Sequence, residues 1–278
     1  MVKILTDSTS DISPLLAKKL GIDIIPLSVN FTSDSYREGV EISPKEFFMK
    51  LRSAKKLPTT SQPSPEDFIA HFETAKKSGD ELLTILISEK LSGTFQSAMI
   101  AKEIVGYDGI YVIDSMNTTT GLRLLVEHAV YLRGKGNTAQ TILKNLNSAI
   151  PKVRLIAVVD TLEYLYKGGR LSLSKAVAGS LFSIKPIIRI KDGKVDVVGK
   201  ERGANRAISA LVDSVDPKSI DYSVPIYFGY TEKRELCNIL MEETEKRILA
   251  NDIRISEVGA VIGTHAGPNC CVLTYLSN

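Results

Sequence analysis

The chain has 278 residues, 44% of them hydrophobic and 24% charged, the mix of a soluble globular protein, which excludes disordered, collagen-like and coiled-coil classes. No run approaches the roughly 18 apolar residues of a membrane span, and Asp7 interrupts the start too early for a secretory leader, so a cytoplasmic location with at most transient membrane contact is expected. Three His, three Cys and no Trp, with Cys270 and Cys271 adjacent and no two His at ligand spacing, exclude a disulfide framework and a His/Cys metal centre.

Val2 to Leu5 predicts a short strand. Ser13-Pro14 then opens a helix, with Ser as cap and Pro at the first helical position, and Gly21 closes it. Ile22 to Phe31 is apolar and β-branched and predicts a second strand. Ser43-Pro44-Lys45-Glu46 and Ser64-Pro65-Glu66-Asp67 repeat the helix-start signal. Glu81 to Ile87, Tyr111 to Ile113 and Leu155 to Val159 have the continuous apolar character of buried parallel strands. Beyond them, Leu171 to Ile184 predicts a helix, and Lys191-Asp192-Gly193 between two β-rich runs predicts a hairpin. Lys200 to Ser214 and Glu232 to Ala250 are amphipathic at helical period; Pro225 to Gly229, Glu257 to Ile262 and Cys271 to Leu276 predict strands. The fold class is α/β with two domains: a parallel-sheet α/β/α domain over 1–150, an α+β domain over 151–278, and a ligand between them.

Three runs of three hydroxyl residues stand out: Ser8-Thr9-Ser10, Thr59-Thr60-Ser61 and Thr118-Thr119-Thr120, with Ser92-Gly93-Thr94 close to the same pattern. The loops at 8, 92 and 118 follow predicted strands and precede helices, where open parallel sheets bind ligands and helix N-termini favour an anion. One hydroxyl is enough to cap a helix, so triplets exceed that need. G-x-G-x-x-G and G-x-x-x-x-G-K-[ST] are absent, and no Lys stands in a phosphate-cradling position. Neutral hydroxyls suit a singly charged carboxylate better than a dinegative phosphate.

The net charge is +3, but Lys167 to Arg206 holds ten basic residues against three acids, a local +7 that leaves −4 for the rest. Such a basic face implies an anionic partner or ligand.

Asp7-Ser8-Thr9-Ser10-Asp11, Thr60-Ser61-Gln62-Pro63-Ser64, Leu91-Ser92-Gly93-Thr94, Lys167-Gly168-Gly169-Arg170-Leu171-Ser172 and Gly263-Thr264-His265-Ala266-Gly267-Pro268, in this order, resemble the DegV family end to end. The resemblance implies two α/β domains holding one long-chain fatty acid, with no other cofactor and no metal. It also implies a carrier without catalysis of its own, which presents the acyl carboxylate to a separate kinase catalytic subunit for acyl phosphate formation. On this chain Thr60, Ser61, Ser92, Gly93 and Thr94 would bind the carboxylate. Ser115, Arg202 and His265 would lie at the pocket mouth, near the phosphate, and Arg170 would dock the kinase. Two departures stand out: Arg123 adds bulk and charge near the start of a helix, bearing on chain preference, and Gly267-Pro268-Asn269 replaces Gly-Pro-Gly.

The rival reading is a Ser-dependent hydrolase of a small ester or amide. Ser172-Leu173-Ser174-Lys175 matches S-x-x-K, but S-D-N, K-T-G and a G-x-S-x-G elbow at Ser92 are missing. No nucleic-acid partner is expected, since Phe182 is the only aromatic residue in the basic stretch.

Overall fold

The structure, a computed structural model, describes residues 1–172 and 184–278. Its elements in chain order begin with β1 (Val2–Asp7), α1 (Pro14–Leu20), β2 (Asp23–Ile25), β3 (Ser28–Asn30), β4 (Ser35–Arg37), α2 (Pro44–Ser53), β5 (Thr59–Ser61) and α3 (Pro65–Ser78). Next come β6 (Glu81–Leu86), α4 (Thr94–Val105), β7 (Ile110–Asp114), α5 (Thr119–Gly134) and α6 (Ala139–Ala149). The remainder is β8 (Val153–Val158), α7 (Glu163–Lys167), β9 (Ile184–Lys191), β10 (Lys194–Arg202), α8 (Ala204–Asp213), β11 (Ile226–Tyr230), α9 (Glu235–Glu245), β12 (Ile253–Glu257), α10 (Ala260–Ala266) and β13 (Cys271–Leu276). No described helix is long and apolar enough to cross a membrane.

The Ser-Pro signals start three helices. Pro14, Pro44 and Pro65 each occupy a first position. The Ser13 hydroxyl accepts from Leu16 N, and Ser43 and Ser64 donate their own amides to Glu46 and Asp67 at 2.9 and 2.8 Å. The strands form a parallel sheet in the order β2-β1-β6-β7, a mixed sheet in the order β10-β9-β8-β13-β11-β12, and a small antiparallel sheet β4-β3-β5. This is the expected α/β class, with the parallel sheet built from the first half of the chain and the mixed sheet from the second. Helix α5 lies between the two large sheets, packing on β1 and β6 from one side and on β8, β11 and β13 from the other. Leu122, Leu125, Val126 and Ala129 are buried there, and each such Leu contributes about 1.5–3 kcal/mol.

Four sequence expectations change. Ile22 to Phe31 is two strands, β2 and β3, because Pro26 has no N–H to continue a ladder. The Thr59 run is itself strand β5, paired with β3. Lys200 to Arg202 stays in β10, held by pairing to β9, and α8 starts only after Gly203 at φ +88°. The strand near Glu257 ends there, and the chain turns at Gly259 into α10. The Asp192-Gly193 hairpin forms as read, with φ of +50° and +75° at its two central residues. The expected helix over Leu171 to Ile184 lies on residues 173–183, outside the described residues.

Helix α10 is fixed at its start by two buried carboxyl groups. Asp11 Oδ1 accepts from Gly259 N at 2.9 Å and Glu38 Oε1 from Val261 N at 2.8 Å. Asp11 Oδ2 also takes the Thr119 hydroxyl. Burial pushes the Glu38 carboxyl up from 4.5 to about 7 and Asp7 up to about 6. Burial and the nearby Glu38 also push Asp11 well above the usual carboxylate range. One turn on, Gly263 lies against α2: a Cβ there would stand 2.8 Å from Phe48 Cζ and 2.9 Å from Phe47 Cε1.

Two outcomes follow. Gly263→Ala should destabilise the fold by about 1–3 kcal/mol through overpacking, read from urea unfolding; an unchanged midpoint would refute the close packing. The folded protein holds the Glu38 proton more tightly than the unfolded chain does. The stability this gives is therefore complete below about pH 4.5 and lost as pH rises through about 7. Glu38→Gln, which keeps an acceptor for Val261 N, should lose less melting temperature than the parent between about pH 5 and about pH 8. Equal slopes would rule the assignment out.

Candidate functional site

Along the central strands of the mixed sheet, alternate residues face opposite ways. Val158, Ile187 and Leu273 join the core under α8 and α9, whereas Leu155, Ala157, Ile188 and Val272 face the first half of the chain. That second face and the carboxyl-end loops of β6 and β7 line a cavity that is partly open to solvent. Among the described residues six polar side chains line it: Thr60, Ser92, Thr118, Thr119, Arg170 and His265. The other described lining residues are apolar, among them Leu27, Ile87, Val195, Val258 and Val261.

Thr60 and His265 meet across the halves: Thr60 Oγ1 and His265 Nε2 are hydrogen-bonded at 2.9 Å. The imidazole is 8% exposed and its Nδ1 has no partner among the described residues. Burial, reinforced by the positive charge of Arg170, pushes its pKa down to about 4, so the ring is neutral at physiological pH. Ser92 stands in the turn after β6, its Oγ 2.8 Å from Thr94 Oγ1. Arg170 reaches the same turn, donating from Nε to Leu91 O at 3.0 Å and from Nη1 to Gly168 O at 2.6 Å. It is the only cationic side chain lining the cavity among the described residues. Gly168 makes this approach possible, because a Cβ there would lie 2.2 Å from His265 Nδ1. Gln62 joins the β5 end to the Ser92 turn: its Nε2 donates to Ser97 Oγ at 2.9 Å and its Oε1 lies over Gly93.

The other expected site residues are placed as follows. Ser61 points away from Thr60, as strand alternation requires, and accepts from Asn30 Nδ2 at the surface. Thr94 is buried behind Ser92, and Gly93 precedes the first turn of α4. Ser115 is buried and engaged with Asn117 in its own turn. Arg202 ends β10 opposite Ile184, exposed and roughly 23 Å of strand beyond the cavity-lining Val195. The Arg170 side chain turns inward, and Gly168 packs against His265. Arg123 faces β12, donating to Glu127 at 2.7 Å and to Ser256 Oγ at 2.7 Å, and does not line the cavity.

The hydroxyl triplets do not converge as wholes. Ser8, Thr9 and Ser10 are buried and occupied by Leu27 N, the Asp7 carboxylate and Asp7 O. Thr120 bonds to Thr274. Nor is the basic stretch one face: Lys167 pairs with Glu163, Lys185 with Asp160 and Arg189 with Asp196. The S-x-x-K motif runs into residues 173–175, outside the described residues. Sequence reasoning marked the Thr118-Thr119 loop without assigning either residue a site role, and it missed the apolar walls from β8 and β13, for which alternation within the strands was the available signal.

A family model described as an uncharacterised protein of the DegV family matches residues 1–278. A DegV domain-containing protein of Caldanaerobacter subterraneus is 38% identical over 269 residues, 96% of either chain. Among solved structures, a DegV family protein from Thermus thermophilus, described by its fatty acid binding, superposes with a TM-score of 0.91 at 32% identity, covering 100% of this chain and 99% of that one. A stearic acid-binding protein from Eubacterium ventriosum gives 0.87 at 27% identity, covering 100% and 98%. The match along the whole length, in sequence and in fold, makes this chain a member of the DegV family.

Proposed function

We infer that this protein is a carrier of one long-chain fatty acid. The observation that carries the reading is a cavity whose described wall is mostly apolar and in which Thr60, Ser92, His265 and Arg170 supply hydroxyls, a neutral imidazole and a cation. The carboxylate is held by the Thr60 and Ser92 hydroxyls, with Arg170 as its counter-charge. Thr94 and Gly93 set the Ser92 turn, Ser61 and Ser115 act only through their own loops, and His265 orients Thr60. The tail runs along Leu155, Ala157, Ile188 and Val272. Burying about 15 methylenes at ~0.8 kcal/mol each gives ~12 kcal/mol before ordering costs, so the head group mainly sets orientation. The relatives described as binding fatty acids support the same ligand class.

Presentation to a kinase subunit for acyl phosphate formation is the reading of the family resemblance. Thr60, Ser92 and Arg170 are each partly exposed, so a carboxylate among them is within reach of a partner. Arg202 stands too far along β10 to share that role in this arrangement. The hydrolase reading lacks a base: Ser92 Oγ meets Thr94 rather than an imidazole, and His265 Nε2 is taken by Thr60.

Native mass spectrometry of the protein purified from cells should reveal an added species of fatty-acid mass. A clean apo mass with no uptake of added fatty acid would refute the carrier. Arg170→Ala should weaken fatty-acid binding about tenfold or more and leave the matching primary alcohol unaffected. Equal loss for both would remove Arg170 from the head-group site.

A further inference from the structure

Although part of the cavity is open to solvent, the side chains assigned to the tail are covered. Leu155, Ala157, Ile188 and Val272 are each buried, so part of the enclosure has to move aside for an acyl chain to reach them. Helix α5 is packed between the two large sheets, α10 is held by Asp11 and Glu38, and β8 and β13 are each paired on both sides. The β9–β10 hairpin is held less firmly. Among the described residues β10 is the edge of the mixed sheet, paired with β9 alone through a register shift between Val197 and Gly199, and it leaves Val197 and Val198 exposed. Strand β9 pairs with β8 over Ile187 to Arg189, so the turn from Lys191 to Lys194 projects beyond that ladder. This hairpin nevertheless supplies Ile190 and Val195 to the cavity wall. An edge hairpin opens at lower cost than the interior of a sheet.

Its tip is fastened to the first half of the chain at one atom. Ser88, in the loop after β6, is fully buried, and its Oγ donates to Gly193 O at 2.8 Å. Among the described residues this is the one hydrogen bond from the tip to the first half. Gly193 is buried against Ser88, whereas Lys191, Asp192 and Lys194 around it are exposed. The contact requires glycine: φ is +75°, and a Cβ would lie 2.4 Å from Ser88 Oγ. Ser88 Oγ also accepts from Lys90 N at 3.2 Å, which fixes the loop that continues to Leu91 and Ser92 in the cavity wall. Hairpin and loop thus meet at the cavity, one bringing tail-wall residues and the other the head-group serine.

We propose that the β9–β10 hairpin is the gate through which the acyl chain enters and leaves, with the Ser88–Gly193 contact as its latch. Parting hairpin from loop uncovers Ile190 and Val195 along one side of the chain, so the tail enters sideways while the carboxylate stays at Ser92. The inference rests on the carrier reading. Stopped-flow mixing with cis-parinaric acid, a fluorescent fatty acid, gives the association rate, and displacement by excess octadecanoic acid gives the dissociation rate. Loss of the latch favours the open state in the empty and the loaded protein alike. Ser88→Ala therefore raises both rates, each about threefold to tenfold, the weight of one hydrogen bond, and leaves Kd within about threefold. Gly193→Ala pushes the tip off Ser88 and raises both rates too. Its effect is smaller in the Ser88→Ala background, where the Cβ meets no Oγ; the strain at φ +75° is common to both backgrounds and cancels. Additive effects, unchanged rates in Ser88→Ala, or a rise in dissociation alone with matching loss of affinity overturn the gate. Failure of the parent to bind cis-parinaric acid would instead overturn the carrier reading.

Discussion

Two carboxyl groups buried in the first half of the chain hold the start of a seven-residue helix in the second, and the cavity depends on that hold. A helix as short as α10 does not persist without tertiary contacts. Asp11 and Glu38 accept from Gly259 N and Val261 N, which have no partners within the helix. From this anchor Val258 and Val261 form part of the cavity wall, Gly263 meets Phe47 and Phe48, and His265 arrives at Thr60. The cost is the burial of acids, visible in their raised proton affinity. The two halves are therefore not simply stacked: the second sends a segment into the first, and the site lies along that segment.

How much of this could be read beforehand differs by element. Ser-Pro starts, the Asp-Gly turn and the apolar strands were legible, because each is decided by residues within a few positions of one another. Strand β5 was not, since three residues become a strand only through the partner that pairs with them. Helix α10 was misread because Val261 and Ile262 carry β-branched side chains, while the interactions that make it helical come from Asp11 and Glu38, more than two hundred residues away in sequence. Arg170, expected on a docking loop, instead belongs to the cavity wall, because it bonds to Leu91 O across the chain and the missing Cβ of Gly168 lets its loop pack on His265. The hydroxyl triplets marked the right loops but not the right atoms; in β5, alternation sends only Thr60 inward.

The chamber itself is one side of an ordinary amphipathic arrangement. Cys270 and Cys271 illustrate it: the first lines the cavity, the second packs under α8 and α9. Burial pushes the Cys270 thiol up to about 12, so it stays protonated and behaves as a small apolar side chain. The mixed sheet thus needs no specialised residues to accept an aliphatic tail. It presents the face that would otherwise have been covered by another layer of helices.

The position of β13 has a consequence for how the protein is made. It pairs with β8 on one side and β11 on the other, so residues 271–276 sit in the interior of the sheet that backs the cavity. Until that segment has left the ribosome, β8 and β11 expose unpaired edges and the chamber has no floor. The parallel sheet can form early from contiguous βα units, whereas the ligand-binding wall must wait for a closure spanning more than a hundred residues. During that interval the half-built chamber is an exposed apolar surface. An apolar molecule captured at the moment of closure would be enclosed in the same event that completes the fold.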